Sequence, residues 1–256
     1  MRKILYLFLF TILFTNCKTE EFTILNLRES NPTFPKQIFE FPVLNGKKSV
    51  TNSINSKLIQ SFFEITVKSD YKNVFQNAWA IKESSINNLS FLNYKINTLN
   101  EQLYSVTFYT EGCGAYCEEY DQSFNFDIKS GNRIILDSLF TLTGKKKFLE
   151  NISNQKSKKI NNYITWLEKE QKSKEDQIIN QSIELYRTCL KSLPFKSLEY
   201  IDFKIKKDSI ILASDRCSNH AMRALDDLGD YTFLFHNSDL NILLNDYGKH
   251  LLKTNN

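Results

Sequence analysis

Residues 125–140 read NFDIKSGNRIILDSLF, and this stretch decides the class of fold. Apolar side chains alternate with polar ones from Phe124 to Ile128, which is the period of a strand with one buried face. Ser130 and Gly131 then predict a turn, and a second strand follows over 133–136. The stretch therefore predicts an antiparallel hairpin.

The same two-residue period recurs on both sides of this hairpin. Tyr104, Val106 and Phe108 alternate with polar residues upstream, and a further strand is predicted near 37–41. Downstream, residues 201–212 predict a second hairpin and residues 231–235 another strand.

Helical spacing separates these strands. Val50, Ile54, Leu58, Phe62 and Ile65 recur every three or four residues, so a helix is expected over 49–66. Two more helices are expected within 143–192, with a break over the polar residues 168–176. Ser238 is expected to cap a last helix that runs through Leu244.

This order of elements predicts an α+β fold with antiparallel sheets and packed helices. We expect two sequential α/β halves, an N-terminal half over 37–142 and a C-terminal half over 143–252, preceded by a tether over 17–36.

Composition excludes several classes of enzyme. The chain has 256 residues but only seven glycines and three histidines. These residues form no GxGxxG, Walker-type, HExxH or GxSxG motif. We assign no catalytic residue, cofactor or metal from the sequence.

The first residues are typical of an export signal. Met1, Arg2 and Lys3 precede an apolar run over 4–14, which is too short to span a bilayer. Cys17 follows directly, as in a bacterial lipoprotein signal, so residues 1–16 are interpreted as a signal peptide and Cys17 as the lipidated residue. The alternative is a cleaved signal with an incidental cysteine.

Export to the cell envelope follows from this interpretation. A lipid at Cys17 would hold the protein at a membrane, on the periplasmic or surface face of the outer membrane. Loss of Arg2 and Lys3 lowers the 33 basic residues to 31 against 29 acidic ones. A nearly neutral chain argues against a nucleic-acid partner, which would require clustered positive charge.

The other four cysteines predict two disulfides, because their number is even and the expected compartment is oxidising. Of three possible connectivities we favour Cys113–Cys117 with Cys189–Cys217, since Gly112 and Gly114 allow a turn at the first pair. The alternative is a metal site formed by Cys113, Cys117, Cys217 and His220.

Three motifs resemble a family of exported bacterial domains of unknown function. The family occurs in the extracellular part of lysozyme-sensing anti-sigma factors and beside some peptidoglycan deacetylases. The motifs are the hairpin over 125–140, Pro42-x-x-x-Gly46 before the first helix, and the ending Phe233-Leu-Phe-His-Asn-Ser-Asp-Leu240. The resemblance covers 37–246 and implies a non-catalytic binding or sensing module.

Two loops depart from the family pattern, and both carry cysteines. Residues 112–116 read GCGAY where the family has a Gly-Gly-Ala-His-like turn, and residues 215–230 replace a loop with proline and glycine. The resemblance implies lysozyme or a peptidoglycan-related molecule as the ligand.

The loops 113–120 and 217–230 are the expected binding surface, because rigid scaffolds place function on loops. The candidate contact residues are Tyr116, Tyr120, Glu118 and His220. The acidic residues of these loops, among them Glu118, Glu119, Asp121, Asp226 and Asp227, are interpreted as solvated surface. An envelope hydrolase that uses Glu118 and Asp121 as an acid pair is the alternative function, and a purely structural lipoprotein is another.

Overall fold

A computed structural model describes most of the chain. The described residues are 21–67, 71–82, 84–113, 117–170, 176–199, 201–229 and 231–253, without the side chains of Ser85 and His220. The predicted signal peptide, Cys17, Tyr116 and the His220 side chain therefore lie outside the described residues. Among the residues described, no helix is both long and apolar enough to cross a membrane.

The N-terminal half, extended upstream to include β1, has six strands, two helices and two 3-10 turns among its described residues. They are β1 (Thr23–Ser30), β2 (Ile38–Asn45), α1 (Lys48–Phe63), α2 (Val74–Trp79), a 3-10 turn (Ser85–Asn88), β3 (Leu89–Leu99), β4 (Leu103–Cys113), β5 (Cys117–Asp127), β6 (Asn132–Arg133) and a 3-10 turn (Leu136–Leu139). β1 and β2 form an antiparallel pair, and β3-β4-β5-β6 form an antiparallel sheet in that order.

The C-terminal half contains helices around a three-stranded sheet. They are α3 (Leu142–Glu170), α4 (Gln177–Lys191), β7 (Asp202–Ile205), β8 (Ser209–Ala213), a 3-10 turn (His220–Leu225), β9 (Thr232–His236), α5 (Asn237–Leu240) and α6 (Asp246–Leu252). The strands are antiparallel in the order β7-β8-β9. The predicted α+β class is confirmed.

An aromatic cluster forms the core of the N-terminal half. Phe108 of β4 stacks on Phe41 of β2 at 5.3 Å between ring centroids, and Phe62 of α1 lies 4.6 Å from the same ring. The apolar stripe predicted for α1 is buried here. The helix ends at Phe63, before the predicted residue 66, because the backbone of the next residue, Glu64, is left-handed with φ 59°. Aromatic side chains bury large areas, so this cluster holds α1 on the sheet.

Three of the predicted elements differ in the structure. Residues 23–30, assigned to the tether, form β1, because β2 offers a strand edge along which all eight residues pair. The strand after Gly131 is only two residues long and leads into a 3-10 turn. The last helix is divided, because the Asn245 side chain accepts a hydrogen bond from the Gly248 N–H at 2.8 Å and so starts a new helix.

The C-terminal core extends across the boundary between the halves. Leu103 of β4 and Ile134 pack with the apolar residues of β7, β8 and β9. Gly144 allows α3 to approach the backbone at Leu243 closely, since a Cβ at this position would clash with the Leu243 carbonyl oxygen. The two halves therefore share buried residues.

A polar seam joins the outer face of β4 and β5 to β7. We define it as the buried side chains Ser105, Thr107, Ser123 and Asn125. Asn125 Nδ2 donates to the Phe203 carbonyl oxygen at 2.6 Å, and Asn125 Oδ1 accepts from Ser105 Oγ at 2.7 Å and from the Ile205 N–H at 3.3 Å. The alternation of β4 and β5 predicted strands with one buried face. The structure buries the polar face too, because β7 covers it and supplies hydrogen-bond partners for Ser105 and Asn125, while the hydroxyl groups of Thr107 and Ser123 bond each other.

We expect Asn125→Ala to lower the free energy of unfolding by about 2–4 kcal/mol, because it leaves the buried Phe203 carbonyl oxygen without its side-chain donor and the buried Ser105 hydroxyl without its acceptor. Urea unfolding under non-reducing conditions measures this. Asn26→Ala is the matched control, since it removes an exposed strand asparagine that bonds Glu40 at 3.2 Å. Equal small losses in both variants would contradict a stabilising seam.

Candidate functional site

The structure brings the two cysteine-bearing loops to the same end of the molecule. Cys113 and Cys117 lie at disulfide distance where β4 turns into β5, with sulfur atoms 2.14 Å apart. Cys189, near the end of α4, and Cys217, in the loop after β8, have sulfurs 2.02 Å apart. These are the pairs that the sequence favours.

An ion pair connects these loops directly. Arg216 Nη1 contacts Glu118 Oε1, and both side chains are partly buried. Arg216 Nε also donates to the Ser218 carbonyl oxygen at 3.3 Å, which fixes the guanidinium against its own loop. A planar guanidinium in two contacts holds the loop after β8 against the start of β5.

An acidic groove of about 600 Å³ lies between β5 and the loop that joins β8 to β9. Among the described residues of its lining, five carry a carboxyl group and one, Arg216, is cationic. The five acids are Glu118, Glu119, Asp121, Asp202 and Asp215. Glu119 and Asp121 are exposed, and Asp121 lies 3.8 Å from Lys204. The groove therefore presents negative charge to a ligand.

Asp202 forms the inner wall of the acidic groove at the edge of the polar seam. Its two carboxylate oxygens accept from the Ser123 N–H at 3.1 and 3.2 Å. Burial raises the pKa of Asp202 above its ordinary value, although the hydrogen bonds from Ser123 act in the opposite direction. The groove thus combines a desolvated carboxyl group with solvated ones.

Asp226 is the centre of a buried network behind the groove. Its Oδ1 accepts from Tyr231 at 2.7 Å and Tyr186 at 2.9 Å, and its Oδ2 accepts from the Ser218 N–H at 3.0 Å. Burial alone would raise the pKa of Asp226, but these hydrogen bonds outweigh it and hold the pKa below its ordinary value. The interpretation of Asp226 as solvated surface is wrong, because the side chain is 0% exposed.

Lys156 supports the same network from α3. It is 3% exposed, its Nζ donates to the Asp215 carbonyl oxygen at 2.7 Å, and it lies 5.2 Å from the centroid of the Tyr231 ring. Burial lowers its pKa, and nearby Asp215 and Asp226 partly offset that shift. Its buried charge is compensated by a carbonyl group and aromatic faces.

Of the candidate contact residues, the structure describes Glu118 and Tyr120 in full. Tyr120 is 50% exposed and lies close to Gly112, where an added Cβ would approach its ring to 3.3 Å. Glu118 lies in the ion pair with Arg216. Tyr116 and the His220 side chain are outside the described residues, although the His220 backbone begins the 3-10 turn.

The cysteines do not form the alternative metal set. Glu111 and the sulfurs of Cys113 and Cys117 have ligand atoms within 4.8 Å of one another. The two sulfurs are joined to each other, and Cys217 is joined to Cys189, so none of the three is a thiolate.

The hydrolase alternative requires Glu118 and Asp121 to act as an acid pair, but each of them lies beside a different cationic side chain. Glu118 and Asp121 are three residues apart on β5, so their side chains project from opposite faces of the strand. Glu118 contacts Arg216, and Asp121 lies near Lys204. Asp121 and Asp202 form a different pair of carboxyl groups. Both line the acidic groove, and the charge of Asp121 contributes to the raised pKa of Asp202.

Sequence reasoning missed Asp202, Asp226 and Lys156 as site residues. Each occupies a position that local alternation predicts to be polar, and its contacts come from residues far away in the chain, such as Tyr186 for Asp226. The one local feature in the sequence is that Tyr231 follows Asp226 by five residues, and this spacing is not characteristic of any known motif.

No family model matches the chain, and no curated protein matches it. A solved structure does share its fold. A member of the DUF3298 family, a domain family of unknown function, from Bacteroides fragilis superposes with a TM-score of 0.51 at 14% identity, over 93% of this chain and 99% of that one. A DUF3298 protein from Pseudomonas aeruginosa has a TM-score of 0.48 at 11% identity, over 89% and 95% of the two chains.

We expect Asp226→Asn to destabilise the protein at neutral pH and to have less effect in acid. The folded-state pKa of Asp226 lies below its ordinary value of 3.8, so its ionised form stabilises the fold above that value. That contribution is lost as pH falls through the folded-state pKa. Urea unfolding of the wild type and the variant at about pH 7 and about pH 3 measures this contribution. We expect the variant to have a free energy of unfolding about 2–3 kcal/mol lower than the wild type at the higher pH.

Asp227→Asn is the control for this variant, because Asp227 is the exposed neighbour of the same charge. It is expected to change stability by no more than about 0.5 kcal/mol. If Asp226→Asn lowered the free energy of unfolding by the same amount at both pH values, the charge of Asp226 would not be what its hydrogen-bond donors stabilise.

Proposed function

We propose that this protein is a lipid-anchored, non-catalytic binding module of the cell envelope, and that its acidic groove binds a cationic protein of the lysozyme type. The observation that carries the proposal is the lining of the groove, with five carboxyl groups against one guanidinium. Complementary charge steers a basic partner to such a surface and favours it over neutral ones.

The loops that form the groove are suited to binding without rearrangement. Two cysteine pairs at disulfide distance and the Arg216–Glu118 ion pair fix both loops to the sheet and to α4. Tyr120 adds an exposed aromatic ring beside the groove. Rigid aromatic side chains in a preorganised surface lose little entropy on binding.

An anchor at Cys17 would hold the module close to the membrane. β1 begins at Thr23, six residues after Cys17, and six extended residues span at most about 20 Å. The partner would therefore meet the groove near the bilayer surface. Cysteine pairing supports an oxidising compartment, in agreement with export.

The resemblance to the extracellular part of lysozyme-sensing anti-sigma factors supports the choice of lysozyme as the partner. A peptidoglycan-related ligand is the other choice that this resemblance offers. We favour the protein ligand, because the acidic groove would repel the carboxylates of peptidoglycan peptides. The fold shared with the Bacteroides fragilis structure is that of a DUF3298 family member, which is compatible with a domain of unknown function in this role.

One observation favours a second function, that of an envelope hydrolase. Burial raises the pKa of Asp202, which shares the groove with Asp121, and a carboxyl group with a raised pKa beside a second carboxyl group occurs in acid–base catalysis. Release of soluble fragments from purified cell wall by the protein, lost in Asp121→Asn, would support it and contradict the non-catalytic proposal.

We expect the soluble chain over residues 18–256 to bind c-type lysozyme on a biosensor at near-physiological salt, where charge attraction without shape complementarity is screened. The double variant Glu119→Gln and Asp121→Asn is expected to weaken binding about tenfold, because both carboxylates are exposed in the groove. Tyr120→Ala is expected to weaken it as well.

The control variant is Glu150→Gln with Glu199→Gln, which removes two exposed carboxylates away from the groove. It should leave the affinity for lysozyme unchanged. Cytochrome c, another basic protein, is the control ligand. Equal weakening by both double variants, or equal binding of both ligands, would reduce the interaction to net charge and contradict the proposal.

The anchor has its own test. We expect Cys17→Ser in the full chain to abolish incorporation of a fatty-acid analogue and to move the protein from the membrane fraction to the soluble fraction. Labelling that persists in the variant, or a wild-type protein that is never labelled, would contradict lipidation at Cys17.

A further inference from the structure

A second cleft, of about 860 Å³, lies between the two halves, at the opposite end of β4 from Cys113. The β3–β4 turn forms one wall. The β7–β8 turn, the start of α5 and the end of α6 form the others. Thr98 Oγ1 donates to the Ile205 carbonyl oxygen at 2.8 Å across its base, so both halves contribute to one fixed cavity.

The floor of the cleft is apolar and its rim is cationic. Leu103, Ile205 and Leu252 are buried beneath it. Its described lining carries three lysines and one carboxylate, and the lysines Lys206, Lys207 and Lys253 are all exposed. This balance of charge is opposite to that of the acidic groove, so the two sites would select ligands of opposite charge.

The wall of the cleft contains hydrogen-bond acceptors that lack a donor. Asn237 is 8% exposed, and its amide nitrogen donates to the Leu252 carbonyl oxygen at 3.2 Å, which fixes the orientation of the amide. Asn237 Oδ1 and Asn241 Oδ1 are both buried and receive no hydrogen bond within the described residues. A buried acceptor without a partner is unfavourable, and a ligand O–H or N–H group would satisfy it.

These features restrict the chemistry of the ligand. The lysines require an anionic group, and the carboxamide oxygens require hydrogen-bond donors, which a fully ionised phosphate lacks. Among the described lining residues His236 carries the one aromatic ring, and no Phe, Tyr or Trp offers a larger surface on which a nucleobase would stack. A molecule with a carboxylate, several hydroxyl groups and an apolar face meets all three conditions.

We propose that this cleft binds an acidic saccharide, with its carboxylate at Lys207 and Lys253 and its hydroxyl groups at Asn237 and Asn241. A volume of this size and an apolar floor with a few convergent polar groups are typical of small-molecule sites. The site is separate from the acidic groove, and the inference does not depend on the partner proposed there.

The test is an NMR titration of the ¹⁵N-labelled soluble chain over 18–256, which contains every described element of the fold. N-acetylmuramic acid and N-acetylglucosamine are the matched probes, because they differ in the lactyl carboxylate. We expect the first to shift the amide signals of the cleft, Asn237 and Asn241 included, in a saturable way and the second to bind several times more weakly. Glucuronate distinguishes a wall-derived sugar from acidic sugars in general.

Lys207→Gln with Lys253→Gln is expected to weaken binding of N-acetylmuramic acid, about two- to fivefold for each exposed lysine lost, and to leave N-acetylglucosamine unaffected. Lys146→Gln with Lys147→Gln, on the exposed face of α3, is the matched control and should change neither. Asn241→Ala should weaken both sugars equally.

Three results would overturn the proposal. They are the absence of saturable shifts in the cleft with every acidic sugar, equal affinity for the charged and neutral probes, and equal effects of the two double-lysine variants. Loss of lysozyme binding in the Glu119 and Asp121 variants would leave this inference intact, because those residues line the other site.

Discussion

The polar seam between β5 and β7 is the interaction on which the rest of the structure depends. Asn125 satisfies the Phe203 carbonyl group and the Ile205 N–H at once, so β7 joins β5 through side chains rather than through a strand ladder. Without β7, four polar side chains would face water; with it, all are buried and bonded. Such a network stabilises only one placement of the C-terminal sheet, since a shift would leave buried polar groups unpaired.

That placement produces both clefts. β5 runs from the seam to Cys117, so its acidic residues lie where the loop between β8 and β9 passes, and the Arg216–Glu118 contact completes the acidic groove. At the opposite end of the same junction, the β3–β4 turn meets the β7–β8 turn and leaves the cationic cleft. One interface between two halves thus generates two sites of opposite charge.

The buried charges have a structural role behind the groove. Asp226 joins α4 to the residue before β9 through Tyr186 and Tyr231, and Lys156 reaches the same loop from α3. Together with the Cys189–Cys217 pair they hold a loop that is otherwise irregular. The carboxylate accepts from three donors and the ammonium group lies over aromatic rings, so each of these buried groups has specific partners that offset the cost of burying charge.

The sequence by itself determined the class of fold and most of its elements. The periods of the hairpins and of α1 follow from local alternation, which reports which side of an element is apolar, and even cysteine numbers with two glycines favoured the observed pairing. It did not determine what covers a polar face: β1, the seam, Asp226 and the cationic cleft all arise from residues distant in the chain. Alternation marks a face as polar, but only the tertiary structure decides whether water or another strand satisfies its hydrogen bonds.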